Sequence, residues 1–402
     1  MTDGAPHEYR EHAGTCAECG NSPVNHFGAY IAHTLSVVSS KEGGTRGRLR
    51  TTLSRWGDWL QSWLDPFVYK VFAALPVTRF ASEPKNAKTY RSQVIWEEAA
   101  QRGIPMEQMT LFGAHTEIYR ARIRNDEWTY FQSIPVPPHL EYPAYDWIDD
   151  KFELKRVLHE AGIATPRIVS VTSLADAIAA LPGFQGPVVV KPRAGSRGRH
   201  TTVNVRTESD VAKAFLCAKK LCRYVALEEY LVGSVCRGTV IDGTLAGFFQ
   251  AFPPTVVGDG ASTIRELIDK QNAAKHERLQ DIVLTDEHST FLLRSGYTAD
   301  SVVEKGTVVP LTHRTGRLFG GKTRELLGQE HPKLREYLER AAQAVKAPVV
   351  GFDLIIGNPE VDPDAQKWGI IEANSLPYID LHYLPLEGSP SPVAAAVWDL
   401  WK

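Results

Sequence analysis

Lys191 stands at the end of a short apolar run, Pro187–Val190, and opens into a loop that holds Gly195, Ser196 and Gly198 among Arg193, Arg197, Arg199 and His200. Glycines let backbone amides approach anionic oxygens, while the lysine and arginines supply charge that a bare loop lacks. The pattern suits a polyphosphate; a β-hairpin with a solvated basic tip is the alternative. Near the C-terminus, Asp353 in VVGFDLII and Glu372 and Asn374 in GIIEANSLP recur at strand positions. Residues two apart on a strand share a face, so Glu372 and Asn374 project together, with Asp353 opposite them if the strands pair. Oxygen donors of this kind suit Mg²⁺, and carboxylates flanked by Ile, Phe and Leu are rarely buried without a partner. Edge-strand polarity is the weaker explanation.

Two further motifs compete for attention. GRLFGGKT at 316–323 satisfies G-x-x-x-x-G-K-[ST], with Lys322 as its lysine, between a short strand and an expected helix, which makes a P-loop NTPase an alternative. Only about 86 residues follow Gly316, too few for the parallel sheet such a loop serves. Cys16-x2-Cys19 is followed by His26 and His33, which would complete a zinc site. It is a single pair in a polar segment, and free thiols are the favoured reading.

The chain has 402 residues, 43% hydrophobic and 23% charged, with a net charge of −2. That length predicts two or three lobes, and the charge predicts no general affinity for nucleic acid or an anionic membrane. The arginines of 193–199 are therefore a local feature whose partner is a small anion. No run of about 18 apolar residues occurs, and the first thirty or so residues lack the start of a secretory signal, so a cytoplasmic protein is expected. Five cysteines do not make a disulfide framework.

The elements that must carry these residues follow in order. Residues 1–50 read as weakly ordered. From Leu53 to Leu75 apolar residues keep helical spacing across Pro66, suited to core or partner packing. Thr89–Gly103 reads as a helix, then Met109–Phe112, Thr116–Ile123 and Glu127–Ser133 as strands, the last two joined at Asn125-Asp126. IPVPPHLEYPAYDW is a stiff connector. Helices are predicted over Lys151–Ala161, capped by Asp149 or Asp150, and over Leu174–Ala180, Asp210–Lys220, Thr263–Asn272, Pro332–Lys346 and Val393–Trp401. Strands are predicted at Ile168–Val171, Val225–Glu228, 235–241, 244–252, Val349–Ile356 and Trp368–Ala373. The expected units are 1–85, 86–150, 151–235 and 236–402.

DDKFELKRVLHEAGIATP, VVVKPRAGSRGRHTTVNV, ALEEYLVGSVCRG, VVGDGASTIRELI, GFDLI and IIEANSLPYIDLHYLPLEGSPSPV, in that order, resemble the ATP-grasp half of cyanophycin synthetase over roughly 150–402. The resemblance implies an α+β ATP-grasp fold, two lobes clasping ATP, and an ATP-dependent carboxylate–amine ligase with amino acid or peptide substrates. Residues 1–140 match poorly, and no Mur-ligase-like domain follows, so the second, polymerising activity of that enzyme is not expected. Homo-oligomerisation is left open. By matching position, Lys151 and Lys191 resemble the lysines that reach the nucleotide phosphates, with Arg193 and Arg199 beside them. Glu228, next to Glu229, resembles the acid at the adenine end, and Asp353, Glu372 and Asn374 resemble the Mg²⁺ set. The chain departs from the pattern at Val235, where related ligases often place a ribose-contacting acid, and at Gln250 and Ala251, where cyanophycin synthetase has paired arginines. Asp380 replaces an arginine, which predicts an amine-bearing substrate facing Asp380 and His382 unless Asp380 only caps its loop. A nucleotide-binding protein without ligase activity is the rival function.

Overall fold

The computed structural model describes residues 16, 19, 24–40, 69–123, 127–140, 147–195 and 198–402. Most of the apolar stripe after Leu53, the Asn125-Asp126 turn, Ser196 and Arg197 lie outside these residues; of the stripe, 69–74 is helical. The first element is a helix in the segment expected to be weakly ordered, α1 (His26–Ser40). Its glycine and β-branched residues weaken the local helical signal, and contacts with distant segments supply what propensity does not.

A four-stranded antiparallel sheet follows, in the order β1 (Thr78–Ala81), β2 (Met106–Leu111), β3 (Ala114–Arg122) and β4 (Trp128–Gln132). Helix α2 (Tyr90–Gln101) is capped by Thr89, whose side chain accepts from Ser92 N. It buries Ile95, Trp96 and Ala99 with Tyr119 and Phe131 of the sheet. The same core takes in Trp398 from the end of the chain, whose Nε1 donates to Ile95 O at 2.9 Å.

Helix α3 (Lys151–Glu160) starts at Asp150, whose carboxylate accepts from Phe152 N and Glu153 N. Then come β5 (Ile168–Val171), α4 (Leu174–Ala180), β6 (Val188–Pro192), β7 (Thr202–Val205), α5 (Glu208–Lys219) and β8 (Val225–Glu229). The strands form an antiparallel sheet in the order β5-β8-β6-β7. Val188, Val190 and Leu227 meet Val211 and Phe215 in its core.

The remaining chain adds β9 (Ser234–Ile241), β10 (Thr244–Ala251), β11 (Thr255–Val257), α6 (Ile264–Ala274), α7 (Asp286–Arg294), β12 (Val308–Pro310), β13 (Thr323–Glu325), α8 (Pro332–Val345), β14 (Val349–Ile356), β15 (Trp368–Asn374), α9 (Asp380–Tyr383) and α10 (Val393–Asp399). Five of these strands form an antiparallel sheet, β13-β10-β9-β14-β15, and β11 pairs with β12. Helix α8 lays Leu334, Leu338, Ala341 and Val345 on the five-stranded sheet against Val240, Phe248 and Phe352, and α3 adds Leu154 and Leu158 to that core. Helix α7 escaped the sequence pattern because Leu292 is its one fully buried residue, leaving almost no apolar period to read.

The P-loop expectation fails on this topology. Lys322 is followed by strand β13, an edge of an antiparallel sheet, where a P-loop needs the N-terminus of a helix. The preceding segment closes on itself through Gly321 N to Gly316 O, and Gly320 takes a left-handed conformation at φ 80°.

Candidate functional site

The loop between β6 and β7 sits against the start of α3. Lys151, at the first turn, donates through Nζ to Gly195 O at 2.6 Å. Gly195 has φ 111°, and a Cβ there would lie 2.9 Å from the His33 ring, so only glycine fits. Gly198, at φ 64°, is exposed in the following turn, and Arg199 is half-buried beside it.

Lys191 on β6 donates through Nζ to Glu228 Oε1 on β8 at 2.7 Å, and Lys155 Nζ lies 2.8 Å from Glu228 Oε2. All three are buried. Lys155, one turn after Lys151, also donates to Ile371 O at 2.7 Å. Burial pushes the Lys155 ammonium down to about 8; the Glu228 charge opposes this shift, and Lys191 and Lys151 add to it. For Glu228 burial acts to raise the pKa, yet attraction and hydrogen bonds from the two ammoniums prevail and hold it below the usual range. Glu228, which the resemblance puts at the adenine end, thus lies between two lysines as their counter-charge. Its neighbour Glu229 takes Lys367 as an ion-pair partner and accepts from Arg167 N at 3.4 Å.

Arg193, expected among the catalytic cations, spends its guanidinium within the protein. Nε lies 2.8 Å from Asp150 Oδ1, and Nη2 lies 2.7 Å from Asp150 Oδ2 and 3.2 Å from Glu153 Oε1. The plane also covers the Phe152 ring, 4.7 Å from its centroid. A buried bidentate pair of this kind fixes the loop base to the helix cap and leaves no net charge to offer a phosphate.

Across from this loop, the five-stranded sheet carries the oxygen set. Register pairs Asp353 with Glu372 and Gly351 with Asn374, so the three side chains gather at one edge of β14 and β15, with Asn374 Nδ2 3.4 Å from Asp353 Oδ2. Arg237 on β9 is the next residue in the Asp353 row and holds that carboxylate with both Nε and Nη2 at 2.7 Å. Lys151, on the helix packed against this sheet, has Nζ 3.9 Å from Glu372 Oε2 as well as 2.6 Å from Gly195 O, so it lies between the oxygen set and the glycine loop. The donors are two carboxylates and an amide oxygen, all half-buried and open to water or phosphate oxygens, which fits Mg²⁺.

Asp380 and His382, expected to face substrate, are buried. Arg317, from the GRLFGGKT segment, holds Asp380 Oδ2 through Nη2 at 2.6 Å. His382 is enclosed, with Nδ1 2.9 Å from Glu325 Oε2 and Nε2 2.8 Å from Thr239 Oγ1. Glu325 also accepts from Phe248 N and Ser391 Oγ, so the histidine belongs to a closed network under the sheet. The loop above them, 376–379, is held from the four-stranded region, where Arg91 donates to Leu376 O at 2.7 Å and lies over the Tyr378 ring.

Sequence reasoning passed over Lys155, Arg237, Arg317 and Glu325. Lys155 had a local signal, four residues after Lys151 on one helix face. Arg237 had a weaker one as a cation within an apolar strand.

The lobes built on β5-β8-β6-β7, which carries Lys191 and the glycine loop, and on the five-stranded sheet, which carries the oxygen donors, make an α+β ATP-grasp fold, and the relatives of this chain are ATP-grasp amide-bond ligases. The glutathione biosynthesis bifunctional protein GshAB of Mannheimia succiniciproducens is 28% identical over 309 residues, which are 74% of this chain and 40% of that protein. Cyanophycin synthetase of Trichormus variabilis is 31% identical over 261 residues, 62% of this chain and 29% of that protein. A bifunctional glutathione synthetase from Pasteurella multocida, known as a crystal structure, superposes with a TM-score of 0.55 at 26% identity, covering 77% of this chain and 43% of that one. The chain thus spans well under half the length of these relatives, and it bears out the resemblance to cyanophycin synthetase. No family model matches it. Among the described residues, no helix is long and apolar enough to cross a membrane.

Proposed function

We propose that this chain is an ATP-dependent, ADP-forming carboxylate–amine ligase that makes an amide bond through an acyl phosphate, with amino acid or peptide substrates. Lys151 supports this reading most, because from α3 on the five-stranded sheet it reaches both Glu372 Oε2, at 3.9 Å, and Gly195 O of the β6–β7 loop, at 2.6 Å, and so brings phosphate-seeking cations and Mg²⁺-seeking oxygens to one place. Lys151, Lys191 and Arg199 hold and neutralise the phosphates of ATP. Asp353, Glu372 and Asn374 would hold Mg²⁺, which when bound supplies charge neutralisation on the phosphoryl oxygens. Arg237 holds both oxygens of Asp353 and so fixes that carboxylate in the site.

The substrate carboxylate attacks the γ-phosphorus in line and ADP leaves. The acceptor amine then attacks the acyl carbon, phosphate leaves, and the amine gives up a proton. No protein nucleophile is needed. Lys155 and Lys191 stay close to Glu228, so the cationic floor is set before the nucleotide arrives. The test is a mass-spectrometric screen for condensed products with ATP, Mg²⁺ and mixed amino acids, run beside ADP release. Condensation with stoichiometric ADP is expected. ATP binding with neither product nor ADP from any mixture would leave the rival, a nucleotide-binding protein without ligase activity.

A further inference from the structure

The β6–β7 loop ends at His200, and the structure brings four residues together there: Cys16, Cys19, His26 and His200. Their ligand atoms lie within 4.8 Å of one another. Cys16 Sγ and Cys19 Sγ are each 3.5 Å from His200 Nε2, and Cys19 Sγ is 3.3 Å from His26 Nε2. A tetrahedron with metal–sulfur bonds of about 2.3 Å and metal–nitrogen bonds of about 2.0 Å has S···N edges of about 3.5 Å. The spacing is therefore that of a coordination shell.

The surroundings agree. His200 Nδ1 lies 2.8 Å from Cys217 O, a carbonyl that accepts the Nδ1 proton and leaves Nε2 as the lone-pair nitrogen, the usual support for a metal-bound histidine. Cys19 and His200 are fully buried, while Cys16 and His26 are half-buried. His33, which local spacing offered as a fourth ligand, instead bonds Leu221 O through Nδ1 at 3.1 Å and packs over Gly195.

We propose that Cys16, Cys19, His26 and His200 bind one zinc ion as a closed structural site. Two thiolates and two imidazoles in a tetrahedral array favour zinc over the hard cations that carboxylates select. The ion joins the start of α1 to the end of the β6–β7 loop. Helix α1 already lies along that loop, with Val37 against Ala194 and Cys222 and with Thr34 Oγ1 accepting from Arg223 N at 3.1 Å. Zinc is thus the staple that holds a weakly helical N-terminal segment on the glycine loop between β6 and β7.

The full chain, desalted and analysed by mass spectrometry of its metals, should carry about one zinc per chain. X-ray absorption at the zinc edge should show two sulfur and two nitrogen neighbours, and Co²⁺ replacement should give the visible bands of a thiolate-bound tetrahedral ion. The Cys16→Ser/Cys19→Ser variant and His200→Ala should lose the zinc, whereas His33→Ala should keep it. Stripping zinc with a chelator should speed amide exchange in 26–40 and 194–205 by about tenfold or more. The proposal is overturned if the full chain takes up no zinc when supplied with it, if the absorption spectrum shows no sulfur neighbours, if the double cysteine variant retains the metal, or if exchange is unchanged on stripping. Should the cysteine variants fail to fold, the absorption spectrum of the unmodified chain decides alone.

Discussion

Replacing Glu228 with glutamine removes one charge from the middle of a buried cationic cluster while keeping the shape. In the structure its two oxygens lie 2.7 and 2.8 Å from the ammoniums of Lys191 and Lys155. Breaking a buried pair by removing one partner costs about 3–5 kcal/mol when the remaining charge cannot escape. Here one of the two charges can. The Lys155 ammonium already sits at about 8 rather than 10.5, and without the Glu228 charge it falls further, so at about pH 7 the variant relieves itself by neutralising Lys155. In the variant, holding Lys155 neutral at about pH 7 costs one pH unit more than the wild type spends on keeping it charged, or about 1.4 kcal/mol, on top of the lost Lys191–Glu228 bond. At about pH 9.5 Lys155 is neutral in both folded proteins and that difference disappears. Chemical denaturation of both proteins at the two pH values, followed by tryptophan fluorescence, should show a destabilisation larger by about 1.4 kcal/mol at the lower pH. An equal loss at both values, or a total below about 1 kcal/mol, refutes the account of Glu228 as their shared counter-ion.

The same lysine gives a second expectation: its folded value lies below its unfolded one, so the unfolded chain binds more protons between about pH 8 and 10.5. Wild-type stability should therefore rise through that window relative to Lys155→Met, by on the order of 3 kcal/mol in a pH series of unfolding curves. Lys191→Met should cut turnover by on the order of 2–4 kcal/mol of transition-state stabilisation while near-ultraviolet circular dichroism stays native, and turnover near normal would remove Lys191 from the phosphate site. Glu372→Gln should raise the Mg²⁺ concentration needed for half-maximal activity by about tenfold or more; wild-type activity that persists unchanged in EDTA would argue against a metal there. Arg317→Met should cost about 3–5 kcal/mol by stranding the Asp380 carboxylate, with much of it regained in Arg317→Met/Asp380→Leu, as measured by thermal denaturation. If both variants melt alike, the pair carries no such coupling.

The sequence by itself determined the periodic and the local. Helix α3 begins at Asp150 because an acidic cap precedes an amphipathic run, and Glu372 and Asn374 share a face because side chains on a strand alternate. The order of motifs was enough to expect an ATP-grasp fold. What the sequence did not carry is which charges meet. Glu228 was legible as an acid near the nucleotide, but its role follows from two lysines that reach it from α3 and β6. Asp380 and His382 looked ready for substrate until Arg317, from the segment that mimicked a P-loop, and Glu325, on the strand just after it, closed on them. Spacing paired Cys16 and Cys19 with His26 and His33, whereas folding replaced His33 with His200, far along the chain. Periodicity is set by backbone geometry within a few residues, but an ion pair or a ligand shell depends on distance through space, and only the packed lobes bring such residues within bonding reach.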